Sequence, residues 1–146
     1  MIKKLVALSA MLLTVIFSFA QLKSPEAFLG YKIGTRYTPH WRVVSYFQYV
    51  AQTLPGTVKL EQYGETNEHR PLYTAFISSA ENMSNLENIR LNNLRLANLA
   101  KDKAMPSENA PAIVWLSYNV HGNETSSSEA ALLTIFALAD PSNTQT

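Results

Sequence analysis

Residues 112–124 read AIVWLSYNVHGNE, an apolar run followed by a short polar stretch. Ala112 to Leu116 is apolar without alternation, a pattern typical of a strand covered on both faces. The polar end carries a histidine and a glutamate three residues apart, His121 and Glu124. We therefore expect a buried strand whose carboxyl end presents these two side chains, because ligands of open α/β sheets bind at that end.

The spacing of His121 and Glu124 suits a metal site. Imidazole nitrogen and carboxylate oxygen are both zinc ligands, and two histidines with one glutamate form a known catalytic zinc set. We expect Gly122 to help the intervening loop turn, because glycine adopts backbone angles that other residues resist. The motif alone is weak, however. A polar loop that caps the strand, with Glu124 near a helix N-terminus, explains the four letters equally well.

The segments before this stretch predict a helix and a hairpin. Apolar residues recur at helical spacing from Val43 to Leu54, and Pro55-Gly56 ends the run. Alternation over residues 58–63 and a strand-like stretch over residues 72–77 then predict an antiparallel hairpin, with a polar loop longer than a tight turn.

Two Ser-x-x-Glu stretches predict helix starts. Ser84 to Glu87 fits a capping box, and apolar residues then recur at helical spacing as far as Leu99. Ser126 to Glu129 fits a second box, which opens a helix that runs to about Ala139 and is apolar on nearly all sides. Such a helix needs cover from most directions. The predicted elements do not supply it, so we expect more chain to belong to this fold.

Together these elements predict an α/β fold, a mixed β-sheet flanked by helices that is incomplete in this chain. Residues 40–146 form its domain. Residues 21–39 show no clear period and are interpreted as a lead-in segment.

Residues 1–20 have the layout of a secretory signal peptide. A basic start, Met1 to Lys4, precedes an almost unbroken apolar run over residues 5–19, and Ser18-Phe19-Ala20 offers a cleavage site before Gln21. The alternative is an uncleaved membrane anchor, since the run is near the lower limit for spanning a bilayer. We favour the signal peptide, because small residues close the run and polar sequence follows. It predicts an exported protein, periplasmic or secreted, with no membrane association after cleavage.

Composition narrows the classes of partner. Cleavage would remove Lys3 and Lys4 from the 12 basic residues, leaving 10 against 11 acidic ones and a formal charge of −1. No basic block remains to follow a phosphate backbone, so we expect no nucleic acid partner. The chain has no cysteine, which suits a bacterial envelope or secreted protein better than a small disulfide-stapled domain.

Residues 112–124 resemble the strand and first zinc-binding motif of the carboxypeptidase A-like zinc peptidases, in which a hydrophobic strand runs into an H-x-x-E loop. A second stretch agrees. Val58 to Thr66 followed by Arg70-Pro71-Leu72 is similar to the family's first hairpin, whose turn reads glycine, a few polar residues, then Arg-Pro-Leu. The resemblance identifies residues 40–146 as the N-terminal part of a zinc carboxypeptidase catalytic domain.

The resemblance implies a Zn²⁺-dependent carboxypeptidase that hydrolyses the C-terminal bond of peptides or proteins with metal-activated water. His121 and Glu124 would be two of its three zinc ligands. The third ligand, a histidine, and the general-base glutamate lie farther along the chain in the family, and no residue of this sequence matches them. Asn123 stands where digestive members carry a substrate-binding arginine, so it is an uncharged candidate for substrate contact.

Other interpretations remain open. The chain could be an inactive, binding or structural module of the same fold, or part of an amidase acting on cell-wall peptides or acylated amino acids. The hairpin favours the peptidase. The remaining histidines are not expected to complete the zinc site, because His69 lies in the hairpin turn and His40 at a helix start, where it packs or caps.

Overall fold

The computed structural model describes residues 21–107 and 109–145, so the proposed signal peptide lies outside the described residues. Five helices and one hairpin follow one another along the described chain. They are α1 (Pro25–Leu29), α2 (His40–Thr53), β1 (Val58–Glu65), β2 (Pro71–Ile77), α3 (Ala80–Ser84), α4 (Leu86–Leu96) and α5 (Thr125–Ala139).

Helix α2 is the centre of the core. Its apolar repeat buries Tyr46 and Val50 completely, and it packs against α5 and β1. The helix ends where the sequence predicts, because Pro55 cannot continue it. The buried cluster around α2 consists of Leu22, Leu29, Tyr46, Val50, Val58, Leu132, Ile135 and Ala139.

The predicted hairpin is confirmed. Strands β1 and β2 pair antiparallel, with Val58 opposite Ile77, and the register shifts by one residue between Gln62 and Gly64. The Thr66 amide donates to the Arg70 carbonyl at 2.9 Å and closes the loop. With helices packed on this two-stranded sheet, the α/β class of the fold is confirmed as well.

The first predicted capping box is wrong. Ser84 is the last residue of α3, and its hydroxyl donates to the Glu81 carbonyl at 2.7 Å instead of capping α4. A cap residue needs non-helical backbone angles, which a residue inside the preceding helix does not have. Asn85 takes the cap position without a side-chain capping bond, its side-chain oxygen accepting instead from the Asn88 side chain, and α4 ends at Leu96.

The second capping box is wrong for a different reason. Helix α5 begins at Thr125, and the carboxylate of Glu129 accepts hydrogen bonds from the distant residues Gly34 and Thr38. The helix is also covered on one side only. Leu132 and Ile135 are buried in the core, whereas Leu133 is 46% exposed.

Residues 21–39, interpreted above as a lead-in segment, pack as part of the core. Leu22 and Leu29 are buried, and Ser24 caps α1 by accepting from the Ala27 amide. The main chain of Lys23 is held between two tyrosines of α2: its carbonyl accepts from the Tyr46 hydroxyl and its amide donates to the Tyr49 oxygen, both at 2.9 Å. These bonds anchor the segment to α2.

The predicted buried strand at Ala112 to Leu116 is wrong. Residues 111–119 form no helix or strand, and Trp115 is 74% exposed. Backbone becomes a strand only when a neighbouring strand pairs with it, and the described sheet contains β1 and β2 alone. The segment instead borders a groove of about 560 Å³, whose other walls include Ile77 of β2 and Leu138 of α5.

Within the described ranges, no helix has both the length and the apolar composition needed to cross a membrane.

Candidate metal centre

His121 and Glu124 lie on one turn at the start of α5. The Glu124 amide donates to the His121 carbonyl at 3.0 Å, and the Ser127 amide then donates to the Glu124 carbonyl at 3.2 Å. A bond between residues three apart closes a β-turn, which keeps their Cα atoms within about 7 Å of each other. The structure thus brings together the two residues that the sequence predicts as ligands.

The side chains of both residues are available to a ligand. His121, Asn123 and Glu124 are all exposed. Glu124 occupies the position before α5, but its carboxylate forms no capping bond. In the described part of the chain, neither the imidazole of His121 nor the carboxylate of Glu124 takes part in a hydrogen bond or ion pair. Glu124 does lie at the N-terminus of α5, as the alternative interpretation of the motif has it, but without a capping bond from its side chain.

The left-handed residue of this loop is Asn119, although Gly122 lies at the centre of the turn between His121 and Glu124. Asn119 has a φ of 62°, whereas Gly122 is not among the glycines with positive φ, so Gly122 takes part in the turn without the special backbone angles expected of it. Asparagine tolerates the left-handed region better than most residues. A β-carbon at Gly122 would meet nothing within 4 Å.

Asn119 also joins the loop to α5. Its amide donates to the Ser127 hydroxyl at 3.1 Å, and its side-chain oxygen accepts from the Ser128 hydroxyl at 3.2 Å. No sequence pattern predicted this contact. The available signal was the run of three serines assigned above to a capping box, since hydroxyls at a helix start bond readily to nearby main chain.

A cleft of about 470 Å³ borders the loop. Its walls include His40 at the start of α2, Tyr63 and Arg70 of the hairpin region, and Asn119 and Gly122 of the loop. Arg70 is paired with Glu68 at 2.6 Å, which balances its charge. Asn119, Val120 and Gly122 of the loop therefore line this cleft, whereas the predicted residues His121, Asn123 and Glu124 are not among its wall residues.

The other two histidines lie at the predicted places in the chain, the hairpin loop and the start of α2, although the cap position of α2 is taken by Pro39 and not by His40. His69 lies in the hairpin loop, where its side chain is 83% exposed and pairs with Glu65 at 3.1 Å. His40 is the first residue of α2. Among residues 21–107 and 109–145, no three histidine, cysteine, aspartate or glutamate side chains gather into a set that could hold a metal ion. The donor chemistry of His121 and Glu124 fits zinc, but a catalytic set requires a third ligand.

A comparison with protein families decides the assignment. The model of the zinc carboxypeptidase family matches residues 43–146. This chain belongs to the zinc carboxypeptidase family. No curated protein and no solved structure matches it significantly.

Membership in the zinc carboxypeptidase family places the chain among hydrolases that act on peptide substrates. The matched region contains the hairpin, the turn with His121 and Glu124, and helix α5. It begins inside α2, so the first part of that helix and all of α1 precede it. In this chain the core therefore extends beyond the family-matched region on its N-terminal side.

Proposed function

We propose that the complete gene product carrying this chain is a zinc-dependent carboxypeptidase that hydrolyses C-terminal peptide bonds. The proposal rests on one observation within the family assignment. His121 and Glu124 stand on a single closed turn, with exposed side chains that no neighbour engages in the described residues. Unpaired donors of two zinc-binding types, three residues apart, are the arrangement that a metal ligand pair needs.

In this proposal each residue of the turn has a separate role. His121 would donate an imidazole nitrogen and Glu124 a carboxylate oxygen to the ion, while Asn123, exposed between them, would contact substrate. When bound, zinc supplies Lewis-acid chemistry by polarising the scissile carbonyl and activating water for attack. The general base and third ligand would come from residues outside this set.

The cleft beside the turn supports a peptide as the substrate. It combines the apolar walls of Val43 and Phe47 with the polar side chains of His40 and Asn119. Ligand sites of this size are mostly apolar with a few polar groups that fix orientation. Gly122 forms part of the cleft wall without adding a side chain to it, and a β-carbon there would meet nothing within 4 Å.

Four substrates separate the carboxypeptidase from an amidase of the same fold. We expect the gene product to release the last residue of a peptide with a free C-terminal carboxylate and to leave the same peptide with a C-terminal amide intact. Cleavage of an acylated amino acid or a cell-wall peptide in preference to the free peptide would favour the amidase. No hydrolysis of any of these by a zinc-loaded protein would leave the binding module as the function.

We also propose that the protein is exported. The basic start, the apolar run and the small residues before Gln21 support this proposal.

A further inference from the structure

The loop that carries the proposed ligands is closed at its base by three side chains. Asn119 lies two residues before His121, and Ser127 and Ser128 lie three and four residues after Glu124. The two hydrogen bonds of Asn119 to these serines join the ends of the loop directly. We call Asn119, Ser127 and Ser128 the loop clamp.

The two bonds of the loop clamp fix different parts of the loop. The bond from the Asn119 amide to Ser127 holds the main chain, whereas the bond between the Asn119 side chain and Ser128 holds the asparagine rotamer. Ser128 is 8% exposed, so its hydroxyl is shielded from competing water. The left-handed backbone of Asn119, at φ 62°, is thereby held to α5 by one main-chain and one side-chain hydrogen bond.

The loop clamp fixes the main-chain positions from which the side chains of the proposed ligands project. Ser127 belongs to the first turn of α5 and its amide also bonds to the Glu124 carbonyl, so one residue contacts both the loop base and a proposed ligand. An open loop would have to lose conformational freedom before two ligands could bind one ion, and this loss would weaken metal affinity. A loop already closed does not incur that loss.

We propose that the loop clamp is a positioning device for zinc: it presets His121 and Glu124 without touching the metal. This inference rests on the proposed function, since it requires zinc at that turn. Contacts that orient metal ligands typically change metal affinity by about 10- to 100-fold when removed. We expect the loss of either serine hydroxyl of the clamp to weaken zinc binding within that range.

The three consecutive serines provide a matched experiment. Zinc affinity of the complete gene product is measured by competition with a chromogenic chelator for wild type, Ser127→Ala, Ser128→Ala and the control Ser126→Ala. Ser126 lies on the same helical turn, is exposed and belongs to no hydrogen bond of the clamp. We expect about 10-fold or greater weakening for the first two variants and wild-type affinity for Ser126→Ala.

Two further variants distinguish positioning from a general effect on folding. Ser127→Thr retains the hydroxyl and should retain wild-type zinc affinity. Asn119→Gly keeps access to the left-handed backbone but loses the acceptor for Ser128, so it should weaken zinc binding even if Ser128→Ala fails to fold. The midpoint temperature of thermal unfolding is measured for each variant without zinc. If the clamp positions the ligands, the variants should lose zinc affinity while their midpoint temperatures match that of Ser126→Ala.

The outcomes separate the two proposals. A wild-type protein that binds no zinc overturns the proposed function and this inference with it. A wild type that binds zinc, with Ser127→Ala, Ser128→Ala and Asn119→Gly binding equally tightly, overturns the loop clamp alone. If Ser127→Thr weakens zinc binding as much as Ser127→Ala does, the proposal is also contradicted, because the loss of the hydroxyl would then not be the cause of the weaker binding.

Discussion

The hydroxyl of Thr38 donates a 2.8 Å hydrogen bond to the carboxylate of Glu129, although the two residues lie 91 positions apart in the sequence. The other carboxylate oxygen of Glu129 accepts from the Gly34 amide at 2.9 Å. Glu129 therefore joins a segment that precedes the family-matched region to helix α5, five residues after the proposed ligand Glu124.

Removing this carboxylate should destabilise the fold. Thr38 is 1% exposed, and Glu129→Ala would leave its hydroxyl and the Gly34 amide without their acceptor. An unsatisfied buried polar group costs about 1–3 kcal/mol. We expect a decrease of that size in the free energy of unfolding, measured by urea denaturation. The control is Glu81→Ala, which removes an exposed carboxylate at the start of α3; an equal effect of the two substitutions would contradict the role of Glu129.

Tyr46 predicts a specific loss of stability in alkaline solution. Burial in the core, followed by the nearby Tyr49 and Asp140, raises the pKa of Tyr46 well above its ordinary value of 10. The unfolded chain therefore loses this proton first as the pH rises, and the folded state becomes relatively less stable above about pH 10. Below that pH both states are protonated and the contribution is fully present.

The measurement compares unfolding free energies at about pH 8 and about pH 11 in wild type and Tyr46→Phe. Tyr46→Phe should lower the free energy of unfolding at pH 8, because it removes the bond to the Lys23 carbonyl. Between pH 8 and pH 11, however, its free energy of unfolding should decrease less than that of wild type. Tyr63→Phe, at a tyrosine that is 66% exposed, is the control and should follow wild type. Identical alkaline decreases in all three proteins would show that Tyr46 does not titrate as its burial requires.

The sequence predicted those parts of the fold that depend on local pattern. The hairpin and the end of α2 were predicted correctly, because alternation and the Pro55-Gly56 stop act on neighbouring residues. The capping box at Ser126 to Glu129 failed because Glu129 bonds to a distant segment, and no local signal reports such a contact. The main-chain bonds that hold Lys23 were equally hidden, since they involve atoms that every residue has.

The predicted strand at residues 112–116 failed for a related reason. Its apolar composition requires cover, but composition does not say which strand pairs with it, and β1 and β2 do not. For the candidate site, the role of His121 and Glu124 as metal ligands stays a prediction. His121 and Glu124 do share a turn, whereas the left-handed residue that shapes the loop is Asn119, where the sequence pointed to Gly122.

Export predicts a defined mature N-terminus. If the signal peptide is cleaved after Ala20, mass spectrometry of the protein recovered from the periplasm or medium should find Gln21 as the first residue. Lys23, which is anchored to α2, is then the third residue of the mature chain. Retention of residues 1–20 in a membrane fraction would contradict the prediction and support the uncleaved anchor.

The most direct test of the account is the zinc content of the purified complete gene product and of its His121→Ala variant. We predict one zinc per wild-type molecule, none in folded His121→Ala, and one in the control His69→Ala, whose histidine lies exposed in the hairpin loop. Stoichiometric zinc in a folded His121→Ala protein would contradict the assignment of the metal site to the turn at residues 121–124.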